Sequence, residues 1–253
     1  MATTIHQRLA CWASDYTAVS DEWWKELYDA GVRVAVLQLQ DARDKDGQWV
    51  PVTRKKVDAL KAIGLRVWGA IRPSGNPLHG GIWTPEEAAE WFAGEKLRLG
   101  LQGKEANFEQ EVQKADLAGT GWSDKYTARF RTLCPTLPAQ LVTYPVEGLN
   151  HAPYIARGFR VSVETFSPTR LWEWSPAWIS DWCQRIGWAK GRIKVCVPVH
   201  TIDGARSPID KTAAMWKGGG EIGGTLYPIN QAMPPNEYLV PLVKALIDAE
   251  CAR

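Results

Sequence analysis

Short apolar runs of strand length alternate with segments of helical periodicity along the whole chain, and this alternation constrains the fold more than any other feature. Eight runs read as strands: Arg8–Ser14, Val32–Gln40, Arg66–Arg72, Glu105–Val112, Ala139–Tyr144, Phe159–Phe166, Ile193–His200 and Gly224–Ile229. Between them, helices announce their ends. Thr84-Pro85-Glu86-Glu87 is a capping box with proline at the first helical position. Ser20 opens a helix through Trp23, Trp24, Leu27 and Tyr28 that Gly31 closes, and Val57, Leu60 and Ile63 mark another closed by Gly64. Ser175-Pro176 opens a helix through Ile179, Trp182, Cys183 and Ile186; the last helix is Asn236–Ala252, and after the fifth strand only His151–Arg157 is available. Strand–helix alternation predicts a parallel sheet. Eight such units in 253 residues predict one (β/α)8 TIM barrel, an α/β fold occupying residues 1–253 as a single domain. No low-complexity segment, linker or internal repeat divides the chain.

Strand residues alternate faces, so one parity meets the helices and the other fills the barrel and lines its C-terminal mouth. In the seventh strand Ile193, Val195, Val197 and Val199 are the helix-facing set, leaving Lys194, Cys196, Pro198 and His200 inward. The same rule sends inward Trp12 from the first strand, Gln38 and Gln40 from the second, and Arg72 from the third. Asn107, Glu109 and Glu111 follow from the fourth, Tyr144 from the fifth, Ser162 and Glu164 from the sixth, and Tyr227 from the eighth. A purely structural interior is mostly Val, Ile and Leu, so polar residues recurring at strand ends point to a binding site.

Glu109 and Glu111, read on one strand, have Cα atoms roughly 6.5–7 Å apart at ~3.3 Å per residue. Like charges in one cleft raise one pKa, which supplies a proton donor and an ionised partner, the pair that glycoside hydrolysis uses. Glu164 is the alternative second member, from across the barrel. Neutralisation of Glu109 or Glu111 by Arg72 in a structural ion pair is an equally good reading. His200 reads as a hydrogen-bonding wall or a proton relay. Lys194 lies near its strand start, where a structural role outweighs Schiff-base chemistry. Trp12, Gln38, Gln40, Arg72, Asn107, Tyr144, His200 and Tyr227 are the expected substrate-binding residues.

Other chemistries leave no trace in the sequence. There is no HExxH or tight His/Asp cluster for a metal, no GxSxG elbow and no Walker loop, and Gly218–Gly224 has the wrong spacing for a nucleotide fingerprint. Neither cofactor nor metal is expected. The five cysteines are scattered without a CxxC pair, which indicates neither a zinc ribbon nor a disulfide framework and suggests folding in a reducing compartment. A net charge of +2 gives no reason to expect nucleic acid or an anionic membrane as partner. The start MATTIHQRLACWAS has no signal-peptide pattern, and no run approaches the ~18 apolar residues of a span. Tryptophan is abundant, 14 in all. Trp83, Trp122, Trp172 and Trp174 sit in stretches that read as loops, where exposed rings would serve ligands or assembly partners and buried ones would anchor the loop.

The segment EANFEQEV, Glu105–Val112, resembles the acidic fourth strand of glycoside-hydrolase-like TIM barrels. The stretches VTYPVEGLNHAPYIARGFRVSVETF, VCVPVHT and GGTLYPIN resemble barrels of bacteriophage tail and virion proteins, especially from phages of high-GC Gram-positive hosts. The resemblance implies a minor tail protein of the virion, made in the host cytoplasm, directed at cell-wall or surface polysaccharide and assembled with other tail proteins in a symmetric array. It carries over Asn107, Glu109, Glu111, Tyr144 and Tyr227. The sequence departs from chitinase-type barrels in lacking DxxDxDxE, and the sixth strand ends Glu164-Thr165-Phe166. Two other functions therefore stand beside a hydrolase: a non-catalytic structural or glycan-binding tail protein, and, more remotely, a bacterial sugar-processing enzyme.

Overall fold

A computed structural model describes residues 9–13, 19–40, 50–72, 82–107, 110–143, 150–164, 176–187, 193–198, 206–218, 224–227 and 235–251. Eight parallel strands close on one another: β1 Leu9–Ala13, β2 Val34–Gln38, β3 Arg66–Ile71, β4 Gly103–Asn107, β5 Ala139–Thr143, β6 Arg160–Glu164, β7 Ile193–Pro198 and β8 Gly224–Tyr227. Pairing of β8 with β1, Leu9 beside Gly224 and Cys11 beside Leu226, completes the ring. The helices lie outside it: α1 Asp21–Ala30, α2 Arg54–Ile63, α3 Pro85–Leu99, α4 Gln110–Leu117, α5 Trp122–Leu133, α6 Ala152–Ala156, α7 Pro176–Arg185, α8 Ile209–Gly218 and α9 Asn236–Cys251.

The helix ends form for the local reasons the sequence advertises. The Ser20 hydroxyl accepts from the Trp23 N–H at 3.1 Å. The Thr84 hydroxyl accepts from Glu87 N–H at 3.2 Å while the Glu87 carboxylate accepts from Thr84 N–H at 2.9 Å, so two otherwise orphaned donors are satisfied reciprocally. Gly31 ends α1 at φ 129°. That positive φ favours glycine, and a Cβ there would come within 2.3 Å of the Ile247 Cδ1 methyl on α9, which would have to shift.

The core divides in two. Outside the barrel wall, alternate strand residues such as Cys11, Leu37, Ile71, Leu141 and Val163 pack on the helices. Inside it, Ala10, Trp12, Val34, Val36, Trp68, Ala70 and Val142 form a separate apolar cluster. Trp68 fits only because its register partner is Gly103, where a Cβ would lie 2.2 Å from the indole.

Two expectations are corrected here. The fourth strand is not Glu105–Val112: it starts at Gly103 and ends at Asn107, and Glu111 sits in the first turn of α4. The segment QEVQKADL is built mainly of good helix formers, and that propensity overrides a two-residue polar alternation. Trp122 is not a loop ring but the first residue of α5. It is buried, and its indole N–H donates to the Trp83 carbonyl at 3.1 Å. Trp83 is likewise buried and packs on Trp91, with ring centroids 5.2 Å apart. Neither offers an exposed ring to a partner, because each supplies apolar area to the shell outside the barrel. Trp172 and Trp174 lie outside the described residues.

Candidate active site

The even-numbered strands end on Gln38, Asn107, Glu164 and Tyr227. In a barrel of this type, side chains at one height come from alternate strands, so these positions form one ring at the C-terminal mouth. Gln38, Asn107 and Glu164 are all buried, at 0%, 1% and 6% exposure. Beside them in register stand Ala70 next to Gln38, Val142 next to Asn107 and Cys196 next to Glu164. Ala70, Val142 and Trp12 belong to the apolar interior cluster, so a polar ring rests on an apolar floor.

Asn107 has no hydrogen-bond partner for either end of its carboxamide among the described residues, and neither has the Gln38 Oε1. A buried polar atom left unsatisfied costs about 1–3 kcal/mol, so three such atoms in one ring are expensive unless a ligand or water engages them. The Gln38 Nε2 donates to Gln40 Oε1 at 3.3 Å. Gln40 in turn grips the backbone of Arg72: its Nε2 donates to the Arg72 carbonyl at 3.2 Å, and Arg72 N–H donates to its Oε1 at 2.6 Å. The Arg72 guanidinium lies 5.8 Å from the centre of the Trp12 indole, within the range of a cation–π contact.

The structure thus brings together Trp12, Gln38, Gln40, Arg72, Asn107 and Glu164 of the expected site residues. It separates Glu111 from them in kind, since that residue is half-buried on a helix and not on the barrel wall. Its supposed ion pair with Arg72 is absent from the ion pairs of the described residues. Glu109, Tyr144 and His200 lie outside the described residues; Tyr227 is placed by its backbone as the last residue of β8.

Sequence reasoning missed a second polar group lower in the barrel. Gln140 on β5 donates to the Glu105 carboxylate on β4, and to the Thr225 hydroxyl on β8 at 3.2 Å, all three fully buried. Their inward parity was available as a signal: Glu105 precedes Asn107 by two residues. They lie below the Trp12, Ala70 and Val142 floor and read as barrel structure. The cleft at the opposite, N-terminal face is also structural, because Arg131 within it is committed to the carbonyls of Arg157 and Leu137 at 2.7 and 2.8 Å. Among the described residues no cluster of His, Cys, Asp and Glu could hold a metal, and no helix is long and apolar enough to cross a membrane.

His151 is buried just before α6, edge-on to Trp182 at 5.3 Å and 3.4 Å from the Thr143 hydroxyl. Burial pushes its pKa down to about 4. The unfolded chain, with an ordinary value of ~6.5, then binds a proton that the folded chain refuses. Stability is complete above about pH 6.5 and falls as pH drops towards 4, by up to about 3 kcal/mol. His151→Phe keeps an edge-on ring and should flatten this segment of a stability-versus-pH curve measured by urea unfolding. An unchanged slope between pH 6.5 and 4 in that variant would assign the acid sensitivity elsewhere.

No protein-family model matches the chain, and no curated protein matches it. Its fold is nevertheless shared by many solved structures. A GH18 chitinase from Pseudoalteromonas aurantia aligns over 96% of this chain and 99% of its own, at 12% identity and TM-score 0.68. An endo-β-N-acetylglucosaminidase from Cordyceps militaris aligns over 95% and 91%, at 14% identity and TM-score 0.65. A sugar phosphate isomerase/epimerase from Parabacteroides distasonis aligns over 97% and 98%, at 10% identity and TM-score 0.53. At such identities the likeness establishes the TIM-barrel fold, and the different activities in these names show that the fold alone does not choose a reaction.

Proposed function

We propose that this barrel acts on a glycan bound at its C-terminal mouth, as a glycoside hydrolase of a phage tail tip. The observation that carries the reading is the ring of Gln38, Asn107 and Glu164 on an apolar floor. Sugars present hydroxyls around their edge and C–H surfaces on their faces, so buried amides with unused donors and acceptors suit the edge, and Trp12, Ala70 and Val142 suit a face. Two of the structurally similar proteins, the chitinase and the endo-β-N-acetylglucosaminidase, are named as glycan-cleaving enzymes, which supports the reading by analogy of fold.

The general acid in this reading is Glu109, which follows Glu105 and Asn107 in the same parity of sequence. Its charge partner is Glu164, because Glu111 lies on α4. One carboxyl protonates the departing glycosidic oxygen, and the other stabilises or attacks the sugar cation that develops. The tail location rests on the resemblance of the segments 142–166, 195–201 and 223–230 to virion barrels. Host cell wall is therefore the substrate to try first. Wild-type protein should release reducing ends from walls of a susceptible host between pH 4 and 8.

The non-catalytic rival, a glycan-binding or structural tail protein, is favoured by one fact: Glu111, one of the two carboxylates expected together on the fourth strand, lies on α4 instead. Binding to walls with no release of reducing ends at any pH would select it.

A further inference from the structure

Both ends of the Asn107 carboxamide and the Gln38 Oε1 are buried at the mouth, and no described residue bonds to them. The polarity of the neighbouring hydrogen bonds defines what these atoms need. The Arg72 N–H can only donate and its carbonyl can only accept. Their bonds at 2.6 and 3.2 Å therefore fix the Gln40 amide, with Oε1 towards the N–H and Nε2 towards the carbonyl. The Gln38 Nε2 donates to that same Oε1 at 3.3 Å, which leaves the Gln38 oxygen as the unused end of its amide. β2 thus presents the mouth with an acceptor whose orientation traces back to the backbone just past β3. β4 presents a donor and an acceptor side by side, on Asn107.

We propose that Gln38 and Asn107 form a subsite for adjacent, unsubstituted hydroxyls of an uncharged sugar ring; this rests on the glycan reading above. The subsite offers two acceptor oxygens and one NH2 group, so a ligand completes it only by bringing at least two donor hydrogens and an acceptor lone pair. Neighbouring hydroxyls do this, because each can donate and accept. One receives from the Asn107 Nδ2 while the next donates to its Oδ1, and a further hydroxyl donates to the Gln38 Oε1. A carboxylate or a phosphodiester brings no donor and would set its oxygens against those of the two amides. An acetamido group carries its N–H and its carbonyl on opposite edges of a trans amide, so it cannot serve both ends of one carboxamide. Ala70 and Val142, in register beside Gln38 and Asn107, give the C–H face of the same ring an apolar surface. A site whose buried polar atoms need hydroxyls rejects a ligand without them, because those atoms then stay unpaired.

The test uses soluble cell-wall fragments of a susceptible host, either intact or treated with periodate and then borohydride. Periodate breaks the carbon–carbon bond between adjacent free hydroxyls, and borohydride returns the resulting aldehydes to alcohols. Hydroxyls survive this treatment but no longer sit side by side on a ring, whereas a sugar with an acetamido group beside its single free hydroxyl is untouched. By calorimetry, wild-type protein should bind the intact fragments at least about tenfold more tightly than the treated ones. Asn107→Leu, close in shape but with neither polar end, should lose at least about tenfold in affinity for intact fragments and most of the preference over treated ones. Gln38→Met, a second variant, should lose affinity for intact fragments in the same direction. Without ligand, Asn107→Leu should melt about 2–4 °C above wild type, because it removes buried polar atoms that no described residue satisfies. Equal binding of intact and treated fragments by wild type would overturn the adjacent-hydroxyl assignment while leaving a glycan-binding mouth intact. Binding of neither would sink the glycan reading and this inference with it. Unchanged affinity for intact fragments in both variants would overturn the role of the two amides, and a lower Tm for Asn107→Leu would assign its carboxamide to the fold instead.

Discussion

Glu164→Gln and Glu109→Gln should each slow release of reducing ends from host cell wall by roughly 10²–10⁴-fold, the usual worth of a general acid or base. The exchange of Glu for Gln keeps the shape of the side chain and removes its ability to ionise or to give up a proton. Glu164 is the sharper test, because its position is known: the last residue of β6, nearly buried, in the same ring as Gln38 and Asn107. Glycan binding should survive in both variants within a few-fold, since the two amides and the apolar floor remain. Glu111→Gln should change release by less than about twofold, because a half-buried residue on α4 has no part in proton transfer at the mouth. A loss with Glu111→Gln as large as that with Glu164→Gln would return the catalytic pair to the fourth strand's sequence neighbourhood and refute the assignment made here. In the binding-only rival, all three variants retain wall binding and none has activity to lose.

Lys104→Met should stabilise the protein. Lys104 is on β4 with the parity that faces the helices, fully buried, its ammonium 4.0 Å from the Phe92 ring centre, 5.5 Å from Tyr126 and 5.8 Å from Phe130. Burial holds its pKa well below the usual lysine range; the nearby Cys134 opposes this but does not reverse it. The unfolded chain, with an ordinary lysine near ~10.4, therefore carries more protons than the folded one across the window between the depressed pKa and ~10.4. Protons favour the unfolded state there, so stability rises with pH through that window. Methionine fills a similar volume without an ionisable head. At pH 7 the gain should be on the order of 1–4 kcal/mol, by analogy with buried ion pairs replaced by apolar side chains of similar volume. That corresponds to about 2–4 °C in Tm for each kcal/mol in a chain of this size. The gap between wild type and variant should narrow towards pH 10. A variant that melts lower than wild type at pH 7 would show that the three aromatic rings stabilise the ammonium by more than its desolvation costs.

Most of the scaffold could be read from sequence, and the reasons are local. Ser20, Thr53 and Thr84 accept the backbone donors that open α1, α2 and α3, and Gly31 and Gly64 close the first two. A capping side chain and its target are three residues apart, so no distant contact is needed to specify them. Strand parity is equally local. Trp12, Gln38, Asn107 and Glu164 were assigned inward from alternation alone, and the register agrees. The helix from Trp122 was overlooked although Trp122, Tyr126 and Phe130 recur every four residues. Gly121 before it serves as the N-cap at φ 64°.

By itself the sequence determined the strand–helix alternation, the number of units, most helix ends and, for Trp12, Gln38, Asn107 and Glu164, which parity turns inward. These depend on periods of two and 3.6 residues and on caps a few residues long. Only the tertiary structure decided where β4 stops, that Gln40 is occupied with Arg72 while Asn107 is not, and that Trp83 and Trp122 are core. Each of those depends on what stands opposite. The start of β4 at Gly103 answers to the indole of Trp68 on the neighbouring strand. Gln40 finds the backbone of a residue 32 positions away, and Trp122 finds the carbonyl of Trp83, 39 positions away. A side chain's partner across a closed barrel is set by strand register and shear, which belong to the assembled ring and not to any one segment of the chain.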